Sequence, residues 1–353
     1  MKTTLLHLIF GFIAFNSLAQ VPSVRFIDIP GTEDPPTLVP SGTGGFYLTN
    51  NLSKSNPDST FASITYLDAN LSPQWNRVLK SKTHTTISGL SVEPGGASVM
   101  VNVYNTQGQT SPIFYQFDQN GNTTQTIEIQ DSSVANLTTS PFFSKIKLAD
   151  GCRIFFSSSA GIVMRINPQN KVDFSRQFRF GNSATNFLAI QAGAVIPGTN
   201  QWLISGYITN TSLAYVMKFQ DTTMVFAHVY NFNPLASTMS ISNIHVLPNQ
   251  EVLLGWNDNS RHMHNVKISA NGEIIWRKLH KMTAIMNPGR MTVANNGDIW
   301  MHGSITAGQA GGLLVHLSPT GQFIGRRGQS KLGNSHGNFT SLVEMPDNEL
   351  LTL

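Results

Sequence analysis

The sequence predicts an all-β propeller built from four-stranded antiparallel blades, and three observations predict it. One hairpin signature recurs six times at close to fifty residues. A second, shorter hairpin signature stands between its copies and recurs seven times. Beyond the N-terminal leader, no segment carries a convincing helical period.

The leader is MKTTLLHLIFGFIAFNSLAQ. It has Lys2 at its start, an apolar core from Leu5 to Phe15, and the small residues Ser17 and Ala19 around Leu18. This is the layout of a secretory signal, and the apolar run is too short to span a membrane. Residues 1–19 are therefore expected to be a signal peptide cleaved after Ala19, leaving Gln20 first, with 20–353 as a single propeller domain. A buried N-terminal helix is the competing reading. No Cys follows the apolar run, so lipid attachment there is not expected.

Composition fits an exported β-protein. Charged residues make up 12% of the 353-residue chain, about half the usual share, and Asn, Ser, Thr and Gln take many polar positions. Cys152 is the one cysteine, so an internal disulfide is excluded and stability must come from burial. It stands between Gly151 and a strand-like run, where an inert buried thiol is expected; a nucleophile would need a His partner that the sequence does not place. The net charge of +4 is spread along the chain, densest at Arg326, Arg327 and Lys331. No basic stripe with interleaved aromatics points to nucleic acid, while weak adhesion to anionic surfaces is compatible with the charge.

The first hairpin is seen in ISANGEIIWRKLHK, from Ile268 to Lys281. Its anchors are Asp68, Asp118, Asn167, Gln220, Ser269 and Ser318, separated by 50, 49, 53, 49 and 49 residues. One residue before each anchor stand Leu67, Phe117, Ile166, Phe219, Ile268 and Leu317, all apolar; the residues before those are polar or amphipathic. This period of two marks a strand with a buried face. Three residues after the anchor stand Gly121, Gly272 and Gly321, with Asn170 in another copy, as tight turns with positive φ require. The outgoing strand carries Trp75, Phe174, Phe226 or Trp276, with Phe226 one residue early and Gln125 and Gly325 in the remaining copies.

The second hairpin turns near Gly45, Gly96, Gly151, Asn200, Gln250, Gly297 and Asn348, at spacings of 51, 55, 49, 50, 47 and 51 residues. Two hairpins per unit give four strands, and a ring of such units buries faces that a single unit leaves open. The repeats run near 31–80, 81–133, 134–181, 182–234, 235–282 and 283–332, with 333–353 plus 20–30 left over. Ser23 to Pro30 reads as an outgoing strand without a start, and the last residues as two inner strands without a finish. Seven blades are expected, the last incomplete and closed by the N-terminal strand, so that no sheet edge stays open. Either the ring tolerates a short blade or the native chain continues past Leu353; the apolar ending ELLTL favours continuation.

Ser269, Ala270, Asn271, Gly272 and Trp276, the copy from Asp68 to Trp75, and Thr320-Gly321 together resemble the PQQ-like repeats of secreted bacterial propellers. The leader and amide-rich composition also look like exported proteins of the Bacteroidetes type. The resemblance implies the fold over residues 21–353. The Trp stands in only two copies and Thr-Gly in one, so no cofactor is expected.

Candidate chemistry is sparse. His262 and His264 are two apart on one strand, a spacing that can share a metal, but no third ligand is evident and His264 aligns with core positions. Asp118 to Asn122, DQNGN, is oxygen-rich like a calcium loop but lacks the further acids, so a hairpin turn is expected. His245 and His302 lie on inner-hairpin strands, near where a propeller channel would run; hydrogen-bonded structural roles compete with catalytic ones. Trp256, Asn257, Asp258 and Asn259, Tyr207, and Tyr104 with Asn105 place aromatics beside amides, which suits glycan or peptide contact or ordinary blade packing. No hydrolase elbow, phosphate loop, zinc-protease motif or paired carboxylate site is present. No catalytic, cofactor or metal residue is therefore nominated. The expected protein is an exported, non-catalytic, monomeric scaffold binding protein or glycan through its loop faces. The alternative is a channel-sited enzyme, either a quinoprotein-like dehydrogenase or a polysaccharide hydrolase or lyase.

Overall fold

The computed structural model describes residues 24–25, 37–53, 60–79, 85–104, 110–128, 142–157, 161–181, 186–231, 241–257, 262–282, 286–305, 311–330, 342–344 and 350–352. The expected leader lies outside them. After β1 (Val24–Arg25), blade 1 is β2 (Thr37–Pro40), β3 (Phe46–Ser53), β4 (Thr60–Leu67) and β5 (Pro73–Leu79). Blade 2 is β6 (Thr85–Glu93), β7 (Gly96–Tyr104), β8 (Thr110–Asp118) and β9 (Thr123–Glu128). Blade 3 is β10 (Phe142–Lys147), β11 (Arg153–Ser157), β12 (Ile162–Ile166) and β13 (Val172–Gln177). Blade 4 is β14 (Leu188–Val195), β15 (Gln201–Ile208), β16 (Ala214–Gln220) and β17 (Thr223–Tyr230). Blade 5 is β18 (Asn243–Val246), β19 (Val252–Asn257), β20 (His262–Ile268) and β21 (Ile274–Lys281). Blade 6 is β22 (Met286–Val293), β23 (Ile299–Ile305), β24 (Gly311–Leu317) and β25 (Phe323–Ser330). The chain ends in β26 (Leu342–Glu344) and β27 (Leu350–Thr352). Within each blade the strands lie side by side in sequence order.

The seven-bladed ring expected from the repeat count is corrected, because the described residues form six four-stranded blades. The leftover strands form a three-stranded sheet in the order β1-β27-β26. β1 runs parallel to β27, with Val24 opposite Leu350. An antiparallel blade needs a third strand between its second and its fourth. Without one among the described residues, the N-terminal strand meets β27 directly and runs in the same direction. The innermost strands β2, β6, β10, β14, β18 and β22 are neighbours in turn, and β26 lies beside both β22 and β2.

Alternation along the third strand of each blade buries Leu67, Phe117, Ile166, Phe219, Ile268 and Leu317. The cores formed this way sit between blades. Ala62, Ile64, Val99 and Phe117 join blades 1 and 2, and Met100, Phe114, Phe155 and Met164 join blades 2 and 3. Ile154, Phe156, Trp202 and Phe219 join blades 3 and 4. Val216, Tyr230, Val252 and Trp256 join blades 4 and 5, and Leu253, Met263, Met301 and Val315 join blades 5 and 6. A blade is thus stabilised by its neighbours more than by itself.

The repeated hairpin has a physical explanation in these junctions. The turn glycines Gly121, Gly272 and Gly321 all have positive φ, at 77, 88 and 75°. A Cβ on Gly121 would lie 2.6 Å from the Trp75 ring of blade 1. One on Gly272 would lie 2.3 Å from the His228 ring, and one on Gly321 would lie 2.7 Å from the Trp276 ring. The ring on the fourth strand of one blade therefore covers the glycine turn of the next. The Trp75 indole N–H donates to the Gln119 carbonyl at 2.8 Å, sealing the contact. Where the preceding blade offers Gln125 instead, the turn position holds Asn170, with φ of 64°.

A β-bulge follows each of these turns. The pairing skips Gln74, Thr124, Asp173, Val225, Ile275 and Ile324 in blades 1 to 6. Phe226 arrives one residue early because Gln220 pairs directly with Thr223, shortening that turn. It still faces Lys218, as Trp75 faces Tyr66 and Trp276 faces Lys267.

Candidate functional site

The innermost strands surround the axis of the ring, so their side chains are the first candidates for chemistry. β2 and β14 carry no titratable residue. Glu93, at the end of β6, is buried, with 1% of its side chain exposed. It accepts a hydrogen bond from the Ser98 hydroxyl at 2.6 Å and pairs with the Lys147 ammonium of β10. The Arg153 Nε stands 3.6 Å away, and the Arg153 guanidinium lies over the Phe114 ring at 4.7 Å. Glu93 thus joins blades 2 and 3 with its charge already matched, which leaves it poorly placed to exchange protons with a substrate. His245 on β18 is half-buried, and burial holds its pKa below the ordinary value, so its imidazole is neutral near pH 7.

The histidines of blades 5 and 6 occupy packing positions. His264 is 1% exposed and stacks on Trp256, with ring centroids 4.8 Å apart and planes 9° apart. His262 meets it edge-on at 6.4 Å. Among the described residues, no three His, Cys, Asp or Glu side chains come together as a metal site. His302 is also buried, on β23, the second strand of its blade.

A His–carboxylate pair missed at the sequence level stands in blade 6. His316 Nε2 lies 2.8 Å from Asp298 Oδ2, and the ring stacks on Trp300 at 3.8 Å. The residues are eighteen apart and meet only because β23 and β24 pair, so no sequence spacing announces them. The same slot in blade 5 holds Lys267 and Glu251 as an ion pair. That equivalence assigns the His316–Asp298 pair to the support of the inner turn.

The remaining sequence candidates sort as follows. The Asp118 carboxylate accepts from the N–H of Asn120 at 2.9 Å, the N–H of Asn122 at 2.8 Å and the Asn122 side-chain amide at 2.9 Å. Those bonds hold its pKa below the usual aspartate value, the Asn122 side chain contributing most. Its oxygens serve its own turn, as do those of Asp68, with Asn70 and Ser72 N–H both at 2.9 Å. Cys152 is buried, and its thiol is pushed up to about 11, first by burial and then by the Asp150 hydrogen bond. Trp256 is wholly buried. Tyr207 and Tyr104 are half-buried, the Tyr104 hydroxyl 3.4 Å from that of Thr86. Asn257 ends β19, while Asn105, Asp258 and Asn259 lie outside the described residues.

Solved structures share this architecture. A streptogramin B lyase superposes with a TM-score of 0.58 at 11% identity, covering 92% of each chain. Virginiamycin B lyase from Staphylococcus aureus gives 0.58 at 11% identity, over 90% of this chain and 91% of that one. Hydrazine synthase from Kuenenia stuttgartiensis gives 0.57 at 12% identity, over 94% and 93%. No protein-family model and no curated protein sequence matches the chain. At such identities the likeness establishes the β-propeller fold and carries no chemistry with it.

Proposed function

We propose that the protein is an exported, non-catalytic propeller scaffold, monomeric, that binds a protein or glycan ligand through its loop faces. The observation that carries this reading is the state of the innermost strands. Glu93 is matched by Lys147 and Ser98, His245 is neutral, Lys145 and Arg290 are the other charged residues of these strands, and Thr, Ser, Leu, Val, Ala, Ile and Gly fill most of the rest. Such a lining offers apolar walls with a few polar holding groups, the usual make-up of a binding surface. The test is affinity electrophoresis across a panel of neutral and acidic polysaccharides, with product assays on the same mixtures. Retardation without release of reducing or unsaturated ends is expected. Chain cleavage would overturn the reading.

A second reading, a channel-sited enzyme, is favoured by His245 on an innermost strand, whose neutral imidazole can take a proton. Its test is turnover of streptogramin B and of polyuronides, compared with His245→Ala. Turnover lost in that variant would establish the enzyme.

A further inference from the structure

The bulges separate the ring into two kinds of rim. In blades 1 to 3 the skipped residues are Gln74, Thr124 and Asp173, all polar. In blades 4 to 6 they are Val225, Ile275 and Ile324. The residue before each is also apolar there, giving the pairs Met224-Val225, Ile274-Ile275 and Phe323-Ile324. Their exposures are 49 and 54%, 49 and 47%, and 47 and 54%. A bulge turns two consecutive side chains outward where a regular strand would turn one back. Three successive blades therefore carry an apolar pair at the same height on the outer edge. The large apolar exposure extends to Val229 and Leu279 on the same strands.

On blades 5 and 6 the same edge is basic, while β17 of blade 4 carries no Lys or Arg and follows Asp221. Arg277 and Lys281 on β21, and Arg326 and Arg327 on β25, are exposed, and Glu273 is the one carboxylate on these two strands and the turns preceding them. From Ile275 to Arg277, and from Ile324 to Arg326, the strand rises about 7 Å. Apolar side chains with cations that far behind them match the depth between acyl chains and headgroup phosphates. The outermost strands also present unpaired backbone groups, which the hydrated headgroup layer satisfies and hydrocarbon does not, so contact stops at that layer.

We infer that the outer edge of blades 4 to 6 docks the protein on an anionic lipid surface. This contact is separate from ligand binding at the loop faces and stands whether or not that binding exists. The apolar pairs enter the interface, and Arg277, Arg326 and Arg327 meet lipid phosphates.

The experiment is vesicle sedimentation of the protein, comparing phosphatidylcholine vesicles with vesicles in which about a third of the lipid is phosphatidylglycerol. Binding to the anionic vesicles that weakens with salt is expected, with little on the neutral ones. The double variant Ile275→Ser/Ile324→Ser should lower partitioning by about tenfold, and Arg326→Gln/Arg327→Gln should weaken binding at low salt and reduce the salt dependence. Because Arg277 remains, the arginine variant is expected to reduce the salt dependence and not to remove it; both variants change exposed side chains, and unchanged melting would show that the fold is kept. Equal binding by all variants, or none by the parent, would overturn the inference. So would a concentration-dependent dimer that Ile275→Ser/Ile324→Ser dissociates, since a second copy would then be the occupant.

Discussion

Two kinds of junction seal neighbouring blades, and they differ in what they demand of the chain. Between blades 1 and 2, 4 and 5, and 5 and 6, a ring from one blade lies on the turn glycine of the next: Trp75 on Gly121, His228 beside Phe226 on Gly272, and Trp276 on Gly321. Between blades 2 and 3 no such ring stands at that height. There Glu93 reaches Lys147 and Arg153, and Arg153 covers Phe114. Between blades 3 and 4 the inner turns clasp directly, with the Asp150 N–H donating to Asn200 Oδ1 at 3.0 Å and the Asn200 amide to Asp150 Oδ2 at 3.1 Å. The ring-on-glycine junction depends on shape and tolerates little at one backbone position. The polar junctions depend on matching buried charge and hydrogen bonds, although Arg153 Nε is buried without a hydrogen-bond partner among the described residues, 3.6 Å from Glu93.

The polar junction gives the largest expected effect. Glu93→Gln keeps the volume but removes the charge that Lys147 and Arg153 face, and the loss is expected to be about 3 kcal/mol in chemical denaturation. A loss below about 1 kcal/mol would mean that the junction rests on the Met100, Phe114 and Met164 core alone.

The shape-dependent junction is tested by Gly121→Asn. Asn tolerates positive φ, as Asn170 does at 64° in the next blade, so strain from φ is nearly absent and the clash with the Trp75 ring is isolated. A loss of about 2 kcal/mol is expected. Adding Trp75→Gln copies the Gln125 and Asn170 pairing of the neighbouring junction and should recover part of the loss. If the double variant is as unstable as the sum of the singles, the two residues do not couple and the comparison fails.

These junctions explain what could be read beforehand. Alternation around Leu67, Phe117 and Ile166 reports one buried face, so strands and repeat length were legible. The glycine and the aromatic were legible as positions but not as partners, because they meet across blades, one repeat apart. The Glu93 cluster and the His316–Asp298 pair join residues from different strands with no repeat between them, and nothing in the spacing marks them. The blade count went wrong at the ends, where the pattern gave strands but not their direction: β1 pairs in parallel with β27, and the described residues form no seventh four-stranded blade. His262 and His264 share a face as the period of two requires, but the face is the one that packs on Trp256.

Leu71 sharpens the comparison from its other side. It holds the turn position of Gly121 in blade 1, with φ of 64°, and among the described residues no four-stranded blade precedes it to lay a ring there. A Leu at positive φ stores strain that a Gly does not. Leu71→Gly is therefore expected to raise stability by about 1 kcal/mol, after the entropy lost by a more flexible unfolded chain. If stability falls instead, the Leu71 side chain packs more strongly than its backbone is strained.

The smallest effect lies in the polar frame of the glycine turn. Asp118 orders the backbone that presents Gly121 to Trp75, through its bonds to Asn120 and Asn122. Its folded pKa is depressed below the ordinary value near 3.8. The native state thus favours the carboxylate, and the stabilisation is fully present above the unfolded pKa and lost as pH falls through the lower folded one. The melting temperature of Asp118→Ala should therefore lie slightly below that of the parent at neutral pH, and the gap should narrow as pH drops below about 4. Asp118→Asn keeps an acceptor oxygen for the two N–H groups, so its gap should be smaller and flat with pH. A gap for Asp118→Ala that stays constant down to about pH 2 would show that the turn is held by hydrogen-bond geometry without a contribution from charge. The ring-on-glycine junction would then be electrostatically silent throughout, in full contrast to the Glu93 junction.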